Sequence, residues 1–140
     1  MLFRSVHYNV DINWMLDDLV ARIPQIEKAV VLTRDGLASG ASGVLVQEDA
    51  ERLAAIAAGF HSLARGAAAY LVTYDVRQII VEMAGTYMFI TAAGENGCLA
   101  VVTGDSVDLG LIAYETALFV KRVSAYLPPL RQVALGGGTT

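Results

Sequence analysis

Apolar residues recur at helical spacing at Ile12, Met15, Leu16, Leu19, Val20 and Ile23. That pattern predicts an amphipathic helix with one buried stripe. Asp11 stands where an N-cap belongs, and Pro24 ends the pattern just after its last apolar residue. The period then changes. Residues 27–33 are β-branched and apolar and read as a strand, followed by Asp35-Gly36, which predicts a tight hairpin. The return strand, Leu37 to about Ser42, consists of small residues that pack little. Helical spacing returns over 48–65. There Leu53, Ile56, Ala57, Phe60, Leu63 and Ala64 predict the buried face. Ala50, Ala54, Ala55 and Ala58 predict a second face of small residues turned away from the core, with Gly59 in mid-helix. Three strands follow over 76–83, 86–92 and 98–103, joined by Ala84-Gly85 and by a turn containing Asn96-Gly97. A last helix is expected over 107–127, capped by Asp105 or Ser106 and stopped by Pro128-Pro129.

The order helix–strand–strand–helix–strand–strand–strand–helix predicts an α+β domain: five antiparallel strands with three helices. Helices on both faces would let the sheet be apolar on both sides, as the unbroken runs Ile79-Ile80-Val81 and Leu99–Val102 require. One domain is expected over 11–127, between an N-terminal arm (1–10) and a loose C-terminal tail (128–140) ending in Gly-Gly-Gly-Thr-Thr.

Composition changes this picture in one respect. Of 140 residues, 55% are hydrophobic and only 17% charged, an apolar balance for a small soluble domain. No stretch approaches the roughly 18 consecutive apolar residues of a spanning helix. The excess therefore points to surface buried against a partner. A net charge of −4 and a pI near 5.0, with no Lys/Arg run, argue against nucleic acid. The single cysteine, Cys98, excludes an intrachain disulfide and reads as a small buried hydrophobe. With no signal-peptide pattern at its start, the chain is expected to be cytoplasmic.

Candidate chemistry is sparse. Gly36, Gly40 and Gly43 follow a strand, but they match neither phosphate-loop spacing, and no lysine follows. They predict a flexible hairpin arm. His7 and His61 are the only histidines and have no zinc spacing, so no metal or cofactor is expected. Ser39 to Gly43 contains no nucleophile elbow. The carboxylates stand in turns and at helix starts, where capping accounts for them. An active site is not expected. A partner surface is. The strand over 76–83 follows a long connection and reads as a sheet edge with no Pro or Lys to block pairing. An edge-to-edge homodimer follows, unless a loop covers the edge and the alanines only reflect helix propensity.

These elements resemble the Roadblock family of dynein light chains and bacterial regulators of Ras-like GTPases. The residues that carry the resemblance are AVVLTRDGL (29–37), the alanine-rich helix (50–64), VRQIIVEMAGTYMFITAAGENGCLAVVT (76–103) and DLGLIAYET (108–116). The resemblance implies a sheet with the second helix on one face and the other two on the opposite face. It also implies a dimer that joins the third strands, and a helix platform that receives a small Ras-like GTPase. A sensor-kinase-like protein is a further partner implied by it, and recruitment to the membrane would come through partners. Carried over by position, the dimer strand includes Val76, Arg77, Gln78 and Ile79, and continues through Ile80, Val81 and Glu82. Ala54 and Ala58 are placed at the same interface. Arg52, Leu53, Ile56 and Phe60 are placed at the partner-binding face. Arg52 has two readings, an arginine finger or a helix-surface pair with Glu48. The expected function is a non-enzymatic scaffold that modulates a GTPase. The alternative is a small-molecule-binding sensory module, which predicts an enclosed pocket.

Overall fold

The computed structural model describes residues 9–72 and 75–127. His7, most of the expected arm, the Pro128-Pro129 stop and the tail lie outside the described residues. Helix α1 is Val10–Arg22, and its N-cap is Asn9 rather than Asp11. The Asn9 side chain accepts hydrogen bonds from the backbone N–H groups of Asp11 (2.8 Å) and Ile12 (3.1 Å). Asp11 stands instead in the first turn, where its charge suits the helix dipole.

Strands β1 (Ile26–Thr33) and β2 (Ala38–Ala41) form the first hairpin. Its turn differs from the two-residue form expected of Asp-Gly. Gly36 has φ +91°, while Asp35 stays out of the left-handed region. The Gly36 N–H donates to Thr33 O at 3.0 Å, and the Thr33 N–H donates to Leu37 O at 2.8 Å. This is the three-residue loop with a left-handed glycine. A hydrogen bond from the Thr33 hydroxyl to the Asp35 carboxylate holds the loop from within.

Helix α2 is Gln47–Tyr70 and runs five residues past the end the periodicity suggested, because the Ala67-Ala68-Ala69 run extends it. Strands β3 (Gln78–Met83), β4 (Thr86–Ala93) and β5 (Gly97–Gly104) form the expected meander. Helix α3 (Leu109–Val123) ends in a 3-10 turn, Ser124–Tyr126. Its cap is Asp108, which accepts from the Leu111 N–H at 3.1 Å; Asp105 and Ser106 lie in the preceding loop.

The five strands are all antiparallel, in the order β2-β1-β5-β4-β3. Alternation along each strand feeds two cores. Ala29, Val31, Phe89, Leu99 and Val101 face α1 and α3, meeting Leu16, Leu19, Ile112 and Phe119. Val30, Leu32, Met88, Ile90 and Ala100 face α2. Burial on both sides explains the continuous apolar runs of the central strands. The α1–α3 layer is tied at its surface by Arg22, which contacts Asp18 (3.1 Å) and Glu115 (3.3 Å). Among the described residues no helix is long and apolar enough to cross a membrane.

The sheet has two edges, and they are treated differently. At β2, α1 lies across the border. Asn9 N–H donates to Ser39 O (2.9 Å), Ala41 N–H donates to Asn13 Oδ1 (2.9 Å), and Gly43 N–H donates to Asp17 Oδ1 (2.6 Å). Asn9, Asn13 and Asp17 stand four residues apart, so one helix face serves the whole edge. A Cβ at Gly40 would overlap Ile12 Cγ2, so glycine is what lets the helix approach. The glycine-rich run is therefore packed beneath α1 and is not the loose arm expected of it. At β3 the described structure has no such cover.

Candidate functional site

β3 is the opposite edge of the sheet, as its sequence suggested. Its backbone orientation follows from one hydrogen bond. Ala92 N–H donates to Arg77 O at 3.0 Å, and the register continues Gln78↔Thr91, Ile79↔Ile90, Ile80↔Phe89 and Val81↔Met88. Antiparallel pairs alternate between bonded and non-bonded. Residues 77, 79, 81 and 83 therefore turn their N–H and C=O groups toward β4, and 78, 80 and 82 turn theirs outward. The side chains along this strand have separate fates. Gln78 Nε2 donates to Thr91 Oγ1 (3.1 Å) and Thr116 Oγ1 (3.4 Å), which pins the start of the strand to β4 and α3. Ile80 is 46% exposed and Met83 41%. Glu82 accepts a hydrogen bond from the Tyr87 hydroxyl at 3.4 Å, and its charge raises the Tyr87 pKa above the usual phenol range.

Helix α2 lies on the sheet with a different face from the one its large residues suggested. Ala50, Ala54, Ala57 and His61 are buried, one stripe at spacings of four, three and four. Small side chains let the helix backbone approach the Val30, Leu32, Ile90 and Ala100 surface. Ile56, Phe60 and Leu63 point outward, with Leu63 76% exposed. Gly59 and Gly66, seven residues apart, fall on the side opposite the buried stripe, and an added Cβ at either would meet nothing within 4 Å. Each costs roughly 1 kcal/mol relative to alanine in an exposed helix. An apolar ridge beside two bare backbone positions is a surface that admits a second helix closely.

A cavity of about 600 Å³ opens at the end of the sheet that carries the β1–β2 and β4–β5 turns. Arg34, His61, Arg65, Arg77 and Lys121 are among its walls. Desolvation lowers the His61 pKa, and the charges of Arg65 and Arg34 lower it further, against a smaller opposing effect of Asp75. Burial pushes the Cys98 thiol up to about 11, so it is not a nucleophile at neutral pH. Among the described residues no group of three His, Cys, Asp or Glu side chains could hold a metal ion.

This arrangement has relatives. The sequence profile of the Roadblock/LC7 domain matches residues 12–103. The chain belongs to the Roadblock/LC7 family. A Roadblock/LC7 domain from Streptomyces avermitilis is 39% identical, with a TM-score of 0.77, over 81% of this chain and 95% of that one. Myxococcus xanthus MglB is 19% identical with a TM-score of 0.75, over 84% of this chain and 94% of its own, and shares the fold. Schizosaccharomyces pombe profilin, 12% identical with a TM-score of 0.59 over 81% of this chain and 97% of its own, shares the fold more distantly. No curated protein matches the chain.

Within this Roadblock domain the anticipated residues stand in different surroundings. Ile79 and Val81 are half-buried toward α2, while Ile80 and Glu82 line the free edge. Val76 and Arg77 precede β3 and line the cavity. Gln78 has its side chain turned in to Thr91 and Thr116. On α2, Ile56 and Phe60 are exposed, Leu53 is half-buried, and Arg52 is exposed with its Nη2 4.0 Å from Glu48 Oε2. Two expectations are corrected. Ala54 is fully buried against the sheet, and Ala58 is half-buried against the Gly36 turn, so neither lies on the outward face. Leu63, expected in the core, belongs to the outward ridge. The reason is geometric: with apolar residues on both sides of a helix, closeness to the sheet selects the smaller ones for the inside.

Proposed function

We propose that this Roadblock domain is the subunit of a homodimer whose β3 edges join into one sheet. The outward faces of its two α2 helices would then form a platform for a small Ras-like GTPase. The observation that carries the reading is the contrast between the two sheet edges: β2 is sealed by α1, whereas β3 offers the outward N–H and C=O groups of 78, 80 and 82. An isologous pairing is the commonest symmetry and brings the same elements of both copies together. The ridge of Ile56, Phe60 and Leu63, with Gly59 and Gly66 beside it, supports a helix contact at the same seam. The platform contributes no active site. Its influence on the GTPase would run through the nucleotide cycle, by ordering the partner's switch segments, or through placement of the partner. Arg52 lies beside Glu48 on an exposed helix surface, which favours the helix-pair reading over an arginine finger. Light scattering tests the first half, since a clean monomer at micromolar concentration defeats the dimer. Co-purification with a Ras-like GTPase loaded with GTP or GDP tests the second.

A further inference from the structure

The cavity at the turn end of the sheet is electrostatically unlike the rest of the molecule. The chain has ten Lys and Arg residues and a net charge of −4, yet four of the ten, Arg34, Arg65, Arg77 and Lys121, line this one space. They come from the β1–β2 turn, α2, the segment before β3, and α3, so only the fold assembles them. Two carboxylates, Asp75 and Glu95, also line it, leaving an excess of two positive charges. Among the described residues none of the four cations makes an ion pair; the pairs present involve Arg22 and Arg52. Arg65 Nε is buried with no hydrogen-bond partner among the described residues. A buried guanidinium N–H without a partner is costly, and like charges gathered in one wall repel. Arg65 and Arg34 extend a positive field to His61, itself in the lining, and to the buried Cys98. This is an unfavourable arrangement for a structural role and a favourable one for receiving an anion.

We propose that this cavity binds a small dianionic oxyanion compound, a phosphate monoester or a dicarboxylate. Planar guanidinium forks match carboxylate and phosphate oxygens in pairs, and Lys121 adds a point charge. The excess of two charges matches a dianion. The volume lies in the range of ordinary small-ligand sites. Val76, Ala117 and Val120 supply an apolar wall for an organic body, which favours an ester or a carbon-linked diacid over the bare ion. Specificity would come from where the two anionic oxygens reach relative to Arg34 and Arg65, which line the cavity from separate elements.

Amide NMR titration of the full chain at constant ionic strength tests this, with phenyl phosphate, succinate and inorganic phosphate as probes. We expect saturable shifts at Gly94, Gly97 and Ser124. Tighter binding of phenyl phosphate assigns the monoester class, and tighter binding of succinate assigns the diacid class. Inorganic phosphate binding as tightly as phenyl phosphate assigns the site to the free anion and removes the apolar wall from the argument. Arg65→Gln should weaken binding roughly tenfold or more, the loss of a hydrogen bond to a charged group. Lys121→Gln, at an exposed position that the fold does not depend on, should weaken it as well. Arg52→Gln, outside the cavity, should leave it unchanged. Linear shifts spread over the surface, or equal affinity in all three variants, overturn the proposal. No GTPase takes part and no dimer need form, so failure here and failure of the docking reading are separate results.

Discussion

Gly97 shows how little freedom one residue can have. A Cβ there would overlap the carbonyl oxygen of Leu32 on the neighbouring strand, and backbone cannot yield as a flexible side chain can. Gly97→Ala is expected to destabilise the domain by about 1–3 kcal/mol, measured by urea denaturation. Gly66→Ala is expected to do the reverse. Nothing lies within 4 Å of its added methyl, and the helix should gain roughly 0.5–1 kcal/mol in the same assay. His61 carries a pH dependence. Burial first, then Arg65 and Arg34, lower its folded-state pKa below 6.5. The unfolded chain therefore binds the proton more readily, so the stability His61 contributes is present above about pH 6.5 and is lost as pH falls through the lower folded value. Asp75, on the segment before β3, opposes this only in part. Urea midpoints should fall on mild acidification in the wild type, and less so in His61→Gln.

At the scale of elements, the free edge makes the sharpest prediction. Ile80 turns its N–H away from β4, whereas Val81 turns its N–H toward it. Ile80→Pro should therefore remove the dimer and keep the monomer fold, seen as a halved mass in light scattering with an unchanged circular dichroism spectrum. Val81→Pro removes a ladder bond within the subunit and should cost about 1 kcal/mol more in stability. A dimer that survives Ile80→Pro would mean that β3 edges do not pair. Most elements were legible in the sequence because each carried its own period: the α1 stripe, the alternating meander, and the Gly and Pro punctuation between them. Caps were less legible. Asn9 and Asp11 are both capping types, as are Asp105, Ser106 and Asp108, and the choice rests on where the helix meets its neighbours. The Asp35-Gly36 turn missed its expected form for a related reason, since Thr33 and Leu37 close a loop one residue longer.

At the scale of the whole molecule, the apolar surface is distributed as a docking protein would need it. Ile56→Asp and Phe60→Asp alter exposed positions, so each should change stability by no more than about 0.5 kcal/mol. Because the same ridge is the proposed helix contact at the dimer seam, these changes should also lower the mass seen in light scattering and, with the paired platform lost, remove capture of a Ras-like GTPase in a pull-down, a loss of about 2 kcal/mol or more at a central contact. The sequence by itself determined the element order, the single α+β layer plan and the membership of β3 in an apolar strand, because hydrophobic period and turn chemistry are local and survive being read one segment at a time. It also carried the Roadblock resemblance, which depends on the order of those segments. Only the tertiary structure decided which face of α2 is inside. Both faces are apolar, and the sheet admits whichever one lets the backbone come closer, so alanines went in and Ile56, Phe60 and Leu63 stayed out. Only the tertiary structure sealed one sheet edge with Asn13 and Asp17 while leaving the other, among the described residues, bare. It also gathered Arg34, Arg65, Arg77 and Lys121 around one cavity, from positions with no spacing in common. Those outcomes depend on distances between segments far apart in the chain, and the period of any one segment does not contain them.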